Sequence, residues 1–292
     1  MKSKRLGKTP IKLKTPINYY GSKNQLLPKI LPLIPEHSVY VEPFFGGGAL
    51  YFAKEPVRIE AINDINGDVI NFYKTAKREF EALKLEIDCT LFSEEQHAQA
   101  AEIYNQSEEK TSVVRAWSLF VLTQQSFLNV LGNSWKFDHT RNIAKTFQNK
   151  KEMFDERYLK RFEHTQIFCR DANRVLLNMD CPEAFHFIDP PYINTNCGHY
   201  EGYTEDDFRA LLSTCEKLEG KFLLTTFPSA ILKGFVEKNG WYQIEIRMLS
   251  SAKVLNKLKG EDAMKTEVFT MNYRPTAEQI AQMNLKEPHM AA

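Results

Sequence analysis

A mixed α/β sheet of the nucleotide-binding kind is what this sequence predicts, and three observations carry it. HSVYVEPFFGGGALYFA (37–53) reads as a short apolar strand, a glycine-rich loop and a new apolar periodic run that starts a helix. VRIEAINDING (57–67) reads as a second strand closing on Asp64, followed by a helix through DVINFYKTAKREFEALKL (68–85). FHFIDPPY (185–192) is a third apolar run, and Pro190 has no amide hydrogen with which to continue a central strand, so Asp189 stands at a strand's carboxyl end. The order strand, glycine loop, helix, strand, acid belongs to sheets whose ligands lie beyond the carboxyl ends of the strands.

Composition is compatible with this class. The 292 residues are 43% hydrophobic and 26% charged, enough for a substantial core in one or two domains. A net charge of +1 implies no global attraction to nucleic acid, so an anionic partner would have to be held by a local basic surface. The five cysteines are scattered, without a CxxC pair or a zinc spacing, and read as reduced thiols. No secretion signal opens the chain, and no run reaches the roughly 18 apolar residues of a membrane span. A cytoplasmic location and no membrane partner are expected.

The other elements follow in order. TQIFCRD, FHFID and KFLLTTF read as strands, EDDFRALLSTCEKLEG as a helix, and GWYQIEIRML with TEVFTMNY as an antiparallel pair at the sheet's edge. From Gly48 to Asp189 the chain advances 141 positions, where three βα units need only about 90. The excess points to an inserted, mostly helical subdomain over 90–164, containing an acidic Gln-rich helix, the apolar helix SVVRAWSLFVLTQQSFLNVL and the basic stretch GNSWKFDHTRNIAKTFQNKK. The sheet domain is expected over 15–89 and 165–275, a basic arm over 1–14 and a tail over 276–292.

The motifs suggest a chemistry. Gly46, Gly47 and Gly48 let backbone approach a ligand closely, but lack the spacing for a pyrophosphate or a triphosphate. Asp64, 16 residues after Gly48, is placed for ribose hydroxyls, although an acid before Ile-Asn-Gly also suits a turn or a helix cap. Beside Pro190 and Pro191, the Asp189 carboxylate and the Pro190 carbonyl can present two acceptors to one amino group. Gripped so, the exocyclic amine of an adenine exposes its lone pair for attack on an electrophilic methyl group. Tyr192 offers a face for a base flipped out of its stack.

YYGSK (Tyr19–Lys23), EPFFGGG (Glu42–Gly48), NDIN (Asn63–Asn66), FCRDA (Phe168–Ala172) and DPPY (Asp189–Tyr192), in this order and with the closing TEVFTMNY, resemble the Dam family (alpha class) of DNA adenine-N6 methyltransferases over about residues 15–275. The resemblance implies a Rossmann-like S-adenosylmethionine-dependent methyltransferase sheet. It implies transfer of a methyl group from S-adenosyl-L-methionine to adenine N6 in double-stranded DNA, without a metal. Asp189, Pro190, Pro191 and Tyr192 would be catalytic; Tyr19, Lys23, Phe44, Gly46, Gly48, Asp64 and Asp171 would bind the donor. The inserted subdomain would recognise the target, with Asn129, Leu131 and Asn133 at family contact positions. Asn133 stands where GATC-specific members carry a guanine-reading arginine, so a different target is expected, because asparagine prefers adenine edges. A cognate restriction endonuclease is a possible partner, and the host is expected to be a bacterium or a phage. Cytosine-N4 or RNA methylation and a catalytically inactive DNA-binding relative are the alternatives. Cytosine-C5 chemistry is disfavoured because Cys181 precedes Pro182 instead of following a proline.

Overall fold

A computed structural model describes residues 13–106, 109–193, 203–249 and 264–284. Residues 1–12 of the expected arm and 285–292 of the expected tail lie outside the described residues, as does Cys197. Among the described residues the seven strands are β1 (Val39–Glu42), β2 (Ile59–Asn63), β3 (Thr165–Phe168), β4 (Ala184–Ile188), β5 (Lys221–Thr226), β6 (Tyr242–Leu249) and β7 (Met264–Met271). Helices preceding the inserted segment are α1 (Leu27–Ile30), α2 (Ala49–Ala53), α3 (Gly67–Arg78) and α4 (Phe80–Cys89). The insertion holds α5 (Glu94–Asn105), α6 (Ser112–Gln125), α7 (Ile143–Met153) and α8 (Arg157–Arg161). After it come α9 (Ala172–Met179), α10 (Glu205–Cys215), α11 (Ala230–Asn239) and α12 (Ala277–Asn284).

The sheet order is β3-β2-β1-β4-β5-β7-β6, parallel from β3 to β5, with β7 antiparallel to both β5 and β6. β1 and β4 are buried along their whole length, as expected of central parallel strands covered on both faces. The chain winds outward from β1 through β2 to β3, then returns to lay β4 on the other side of β1. The loops after β1 and β4 therefore diverge, and the crevice of a doubly wound sheet opens between them.

Alternating side chains feed two layers. Ile188, Phe222 and Leu224 pack with Leu176, Phe208 and Leu212 of α9 and α10. Phe187, Leu223 and Phe269 face the opposite layer, which contains Phe72 of α3 and Phe120 of α6. The insertion thus shares its core with the sheet, through Trp117, Phe120, Phe147 and Phe154.

Three expected helices are shorter in the structure. The run 68–85 is broken at Glu79 (φ −131°, ψ 40°), a kink that brings Phe80 against Phe154 at 5.3 Å between ring centroids. The apolar helix expected to run to Leu131 ends at Gln125, because Ser126 and Phe127 turn to pair with Trp135 and Ser134. The helix expected through Gly220 ends at Cys215.

Candidate active site

Register decides which way the site's side chains point. Ile188 pairs with Leu224 and Thr225 with Phe269. Asp189 and Thr225, one residue beyond Ile188 and Leu224, turn to the other layer, and Glu267 joins them because it lies two residues from Phe269. β7 is antiparallel, so its start meets the carboxyl ends of the parallel strands.

At this edge Asp189 Oδ1 receives the Lys23 ammonium at 2.7 Å and the Thr225 hydroxyl at 2.7 Å. Both partners use the same oxygen, Oδ1. Burial holds the Asp189 carboxyl above the usual carboxylate range, with Lys23 and Thr225 opposing the shift. Lys23 is 6% exposed, its second bond runs to the Gly21 carbonyl, and its ammonium lies 4.9 Å from the centroid of the Tyr192 ring. Tyr192 in turn packs edge-on against Phe227 at 4.5 Å, and its hydroxyl donates to Glu267 Oε2 at 3.1 Å. Pro190 is buried and Pro191 partly exposed, both on trans peptide bonds.

The glycine loop follows β1 on the neighbouring strand. Gly46 (φ +46°) and Gly48 (φ +66°) occupy the left-handed region, where a side chain is strained. A Cβ on Gly46 would lie 2.8 Å from the Tyr19 ring, and one on Gly48 only 2.5 Å from the Phe45 ring. Tyr19 is 5% exposed and supports the loop from below, whereas Phe44 is half-buried towards the opposite layer.

Asp64, expected at the ribose, is tied to the loop's backbone. It is 1% exposed, and its two oxygens accept the amides of Gly46 and Asn66 at 2.8 and 2.9 Å. Burial raises its pKa to about 6 despite these bonds. The carboxylate latches the loop to β2, and Asn63 beside it joins the ends of β1 and β3 through Pro43 and Arg170. Asp171, exposed after β3, caps α9 by accepting the Arg174 amide at 3.0 Å.

Beneath the loop, Glu42 is 2% exposed and accepts the Tyr40 hydroxyl at 2.6 Å. Burial pushes its pKa up to about 8. An acid with a raised folded pKa keeps its proton in the folded chain after the unfolded chain has lost it, so each rise in pH across that window costs stability. Relative to wild type, Glu42→Gln is therefore expected to gain melting temperature as pH rises from about 4.5 to about 8 and to level off beyond. A difference that stays flat across this range would show that Glu42 is ionised in the folded protein.

The recognition residues fall differently from expectation. Leu128 and Asn129 both take φ +57°, and this left-handed pair turns the chain into the loop closed by Trp135. Leu131, expected at the DNA, is 6% exposed and its side chain packs in the main cluster. Asn133 donates its side-chain amide to the Phe127 carbonyl, and Asn129 accepts from Lys136, both at 3.0 Å. The side chains turned outward are Phe127 at 48%, Leu128 at 40% and Phe137 at 80% exposure. Hydrophobic pattern alone offered no signal for this inversion. Thr225 and Glu267 give no signal in the sequence, since their place depends on which strands become neighbours, and the Lys23–Asp189 pair joins residues far apart in the chain.

Comparison with known proteins bears directly on this site. The family model for the D12 class of N6 adenine-specific DNA methyltransferases matches residues 19–245. The Type II methyltransferase M1.LlaDCHI of Lactococcus lactis subsp. cremoris is 25% identical over 92% of this chain and 98% of its own. Type II methyltransferase M.MjaIII of Methanocaldococcus jannaschii is 27% identical over 66% of this chain and 74% of its own. The Retron Ec67 DNA adenine methylase of Escherichia coli is 25% identical over 70% and 73%, respectively.

Proposed function

The chain belongs to the D12 class of N6 adenine-specific DNA methyltransferases, and from that premise we propose that Asp189 Oδ2 and the Pro190 carbonyl grip the amine of an adenine flipped from DNA. The observation that carries this reading is the placement of DPPY and the glycine loop at the carboxyl ends of the adjacent strands β4 and β1, on either side of the crevice. The left-handed glycines keep the loop free of side chains, and the half-buried Phe44 ring and exposed Asp171 suit a cationic nucleoside. When bound there, S-adenosylmethionine supplies an electrophilic methyl on a positively charged sulfur.

The protein's own groups do the rest by positioning. The two acceptors take the amine hydrogens and turn its lone pair outward, while Tyr192 stacks on the base. As the N–C bond forms and the methyl's bond to sulfur breaks with its electron pair left on the sulfur, the amine's proton would pass to Asp189 Oδ2, whose raised pKa suits it to this. Gly46 and Gly48 seat the donor, with Phe44 and Asp171 beside its adenine. Asp64 and Tyr19 act on the donor through the loop they support, and Lys23 acts through Asp189. No step calls for a metal.

Target reading belongs to the loop 126–135 and its surroundings within 90–164, with Asn129 and Asn133 shaping the turn and Phe127 and Leu128 facing the duplex. A target other than GATC follows from asparagine at position 133. The Type II names of two relatives support pairing with a restriction endonuclease. Incubation with unmethylated genomic DNA and methyl-labelled S-adenosylmethionine is expected to yield labelled N6-methyladenine. Label in N4-methylcytosine, or none on DNA, would overturn the reading.

Lys136 and Lys150 are the proposed phosphate contacts flanking that loop. Burial lowers both to about 8, and Lys150 acts on Lys136 as Lys14 acts on Lys150, so three cations share this region. Because these pKa values are depressed, charge is lost as pH rises through about 8, and DNA affinity should fall with it. Lys136→Ala is expected to weaken DNA of any sequence and to reduce the slope of log K against log salt by about 1. An unchanged slope would remove Lys136 from the interface.

A further inference from the structure

Glu267 has no part in the reaction outlined above, yet its carboxylate is 3% exposed at the edge where that reaction is placed. Oε2 accepts the Tyr192 hydroxyl at 3.1 Å and Oε1 accepts the Lys265 ammonium at 2.7 Å. A buried carboxylate is costly unless charge and hydrogen bonds offset its desolvation, and an apolar residue would fill the same volume without that cost. The bond it makes therefore has a geometric consequence to be sought.

That consequence concerns the Tyr192 ring. Phe227 meets the ring edge-on at 4.5 Å with 67° between planes, and the Lys23 ammonium lies 4.9 Å from its centroid. These contacts hold the body of the ring and are less directional than a hydrogen bond. The hydroxyl is the atom furthest from the backbone, so a hydrogen bond there fixes the tilt that the other two leave open. Lys265 ties the carboxylate down from its other oxygen and also lies 5.7 Å from the Phe227 centroid, so both supports of the ring rest on the start of β7. Strand register puts Glu267 on the same face as Asp189 and Thr225, which links the stacking face to the amine acceptor through the sheet.

Resting on the reading of Tyr192 as the surface for a flipped adenine, we infer that Glu267 is a positioning residue that holds the Tyr192 ring at the angle needed for the base to stack while Asp189 grips its amine. It acts through the hydroxyl and does not touch the donor.

The test compares Tyr192→Phe, Glu267→Ala, Glu267→Gln and the double variant Tyr192→Phe/Glu267→Ala. Each is measured for kcat, KM for DNA, donor affinity and fluorescence of 2-aminopurine placed at the target adenine. Tyr192→Phe and Glu267→Ala are each expected to lower kcat about tenfold and to alter the flipped-base fluorescence, with donor affinity within about twofold. The double variant should be no slower than Tyr192→Phe, because Glu267 acts only through the hydroxyl that Tyr192→Phe removes. Glu267→Gln retains an acceptor oxygen and should recover to within about threefold of wild type.

Additive losses, a Glu267→Gln defect as deep as that of Glu267→Ala, or Tyr192→Phe at wild-type kcat would overturn the inference. Should Glu267→Ala fail to fold, Tyr192→Phe and Glu267→Gln decide it. Wild-type protein that labels adenine while the variants match it would refute only the role of Glu267. Wild-type protein that labels no DNA would refute the reading beneath it as well.

Discussion

Asp189→Asn is expected to lower methyl transfer by at least about 10³-fold while leaving donor affinity within about threefold. Asparagine keeps the size of the side chain, and its carbonyl can still receive Lys23 and Thr225 as Oδ1 does now. Its amino group then occupies the place of Oδ2, where it opposes a donor with a donor. Asp189→Ala should be equally inactive but also less stable. It strands the Lys23 ammonium, 6% exposed, and breaking a buried pair costs about 3–5 kcal/mol. Single-turnover transfer and calorimetric titration with the donor separate these effects. Turnover within about tenfold of wild type in Asp189→Asn would mean that the amine is not held by this carboxylate.

The same site sets an acid limit. Burial raises the Asp189 pKa and Lys23 opposes the rise, so activity should fall as pH drops through that raised value and the carboxyl takes up a proton. Lys23→Met removes the opposing cation and should move the limb to higher pH. A limb that stays put or moves down would uncouple Lys23 from Asp189.

Gly48→Ala is expected to weaken donor binding by about 10²-fold. A left-handed residue with a Cβ costs about 1–2 kcal/mol, and overpacking adds about 1–3 kcal/mol. The overpacking is real here because the added Cβ would meet Phe45 at 2.5 Å. That ring is 2% exposed and wedged edge-on against Tyr51 at 5.3 Å and Tyr73 at 4.8 Å, so it has nowhere to retreat. The loop must move instead, and it carries the donor seat with it. Phe45→Leu in the same chain should restore part of the affinity by making room. Gly67, at the start of α3, has nothing within 4 Å of an added Cβ, and Gly67→Ala should leave donor binding unchanged. Equal effects at positions 48 and 67 would show that the loop's shape does not set donor affinity.

The sequence by itself determined the order of the elements, the ends of the strands and the residue types of the site, because these follow from local rules. Prolines at 190 and 191 stop β4, glycines at 46 and 48 permit a turn that other residues resist, and period-two or helical patterning marks what lies between. Only the tertiary structure decided where the side chains point and whom they meet. Glu267 reaches Tyr192 because β4, β5 and β7 lie side by side, and Lys23 reaches Asp189 because the turn at 23–25, ahead of β1, packs beside the end of β4. Asp64 turns into the loop because two amides from that loop converge on it. Leu131 is buried and Leu128 exposed because two successive left-handed residues rotate the chain between them. Such partners are tens to hundreds of residues apart or depend on single backbone angles, and neither is encoded in periodicity or spacing.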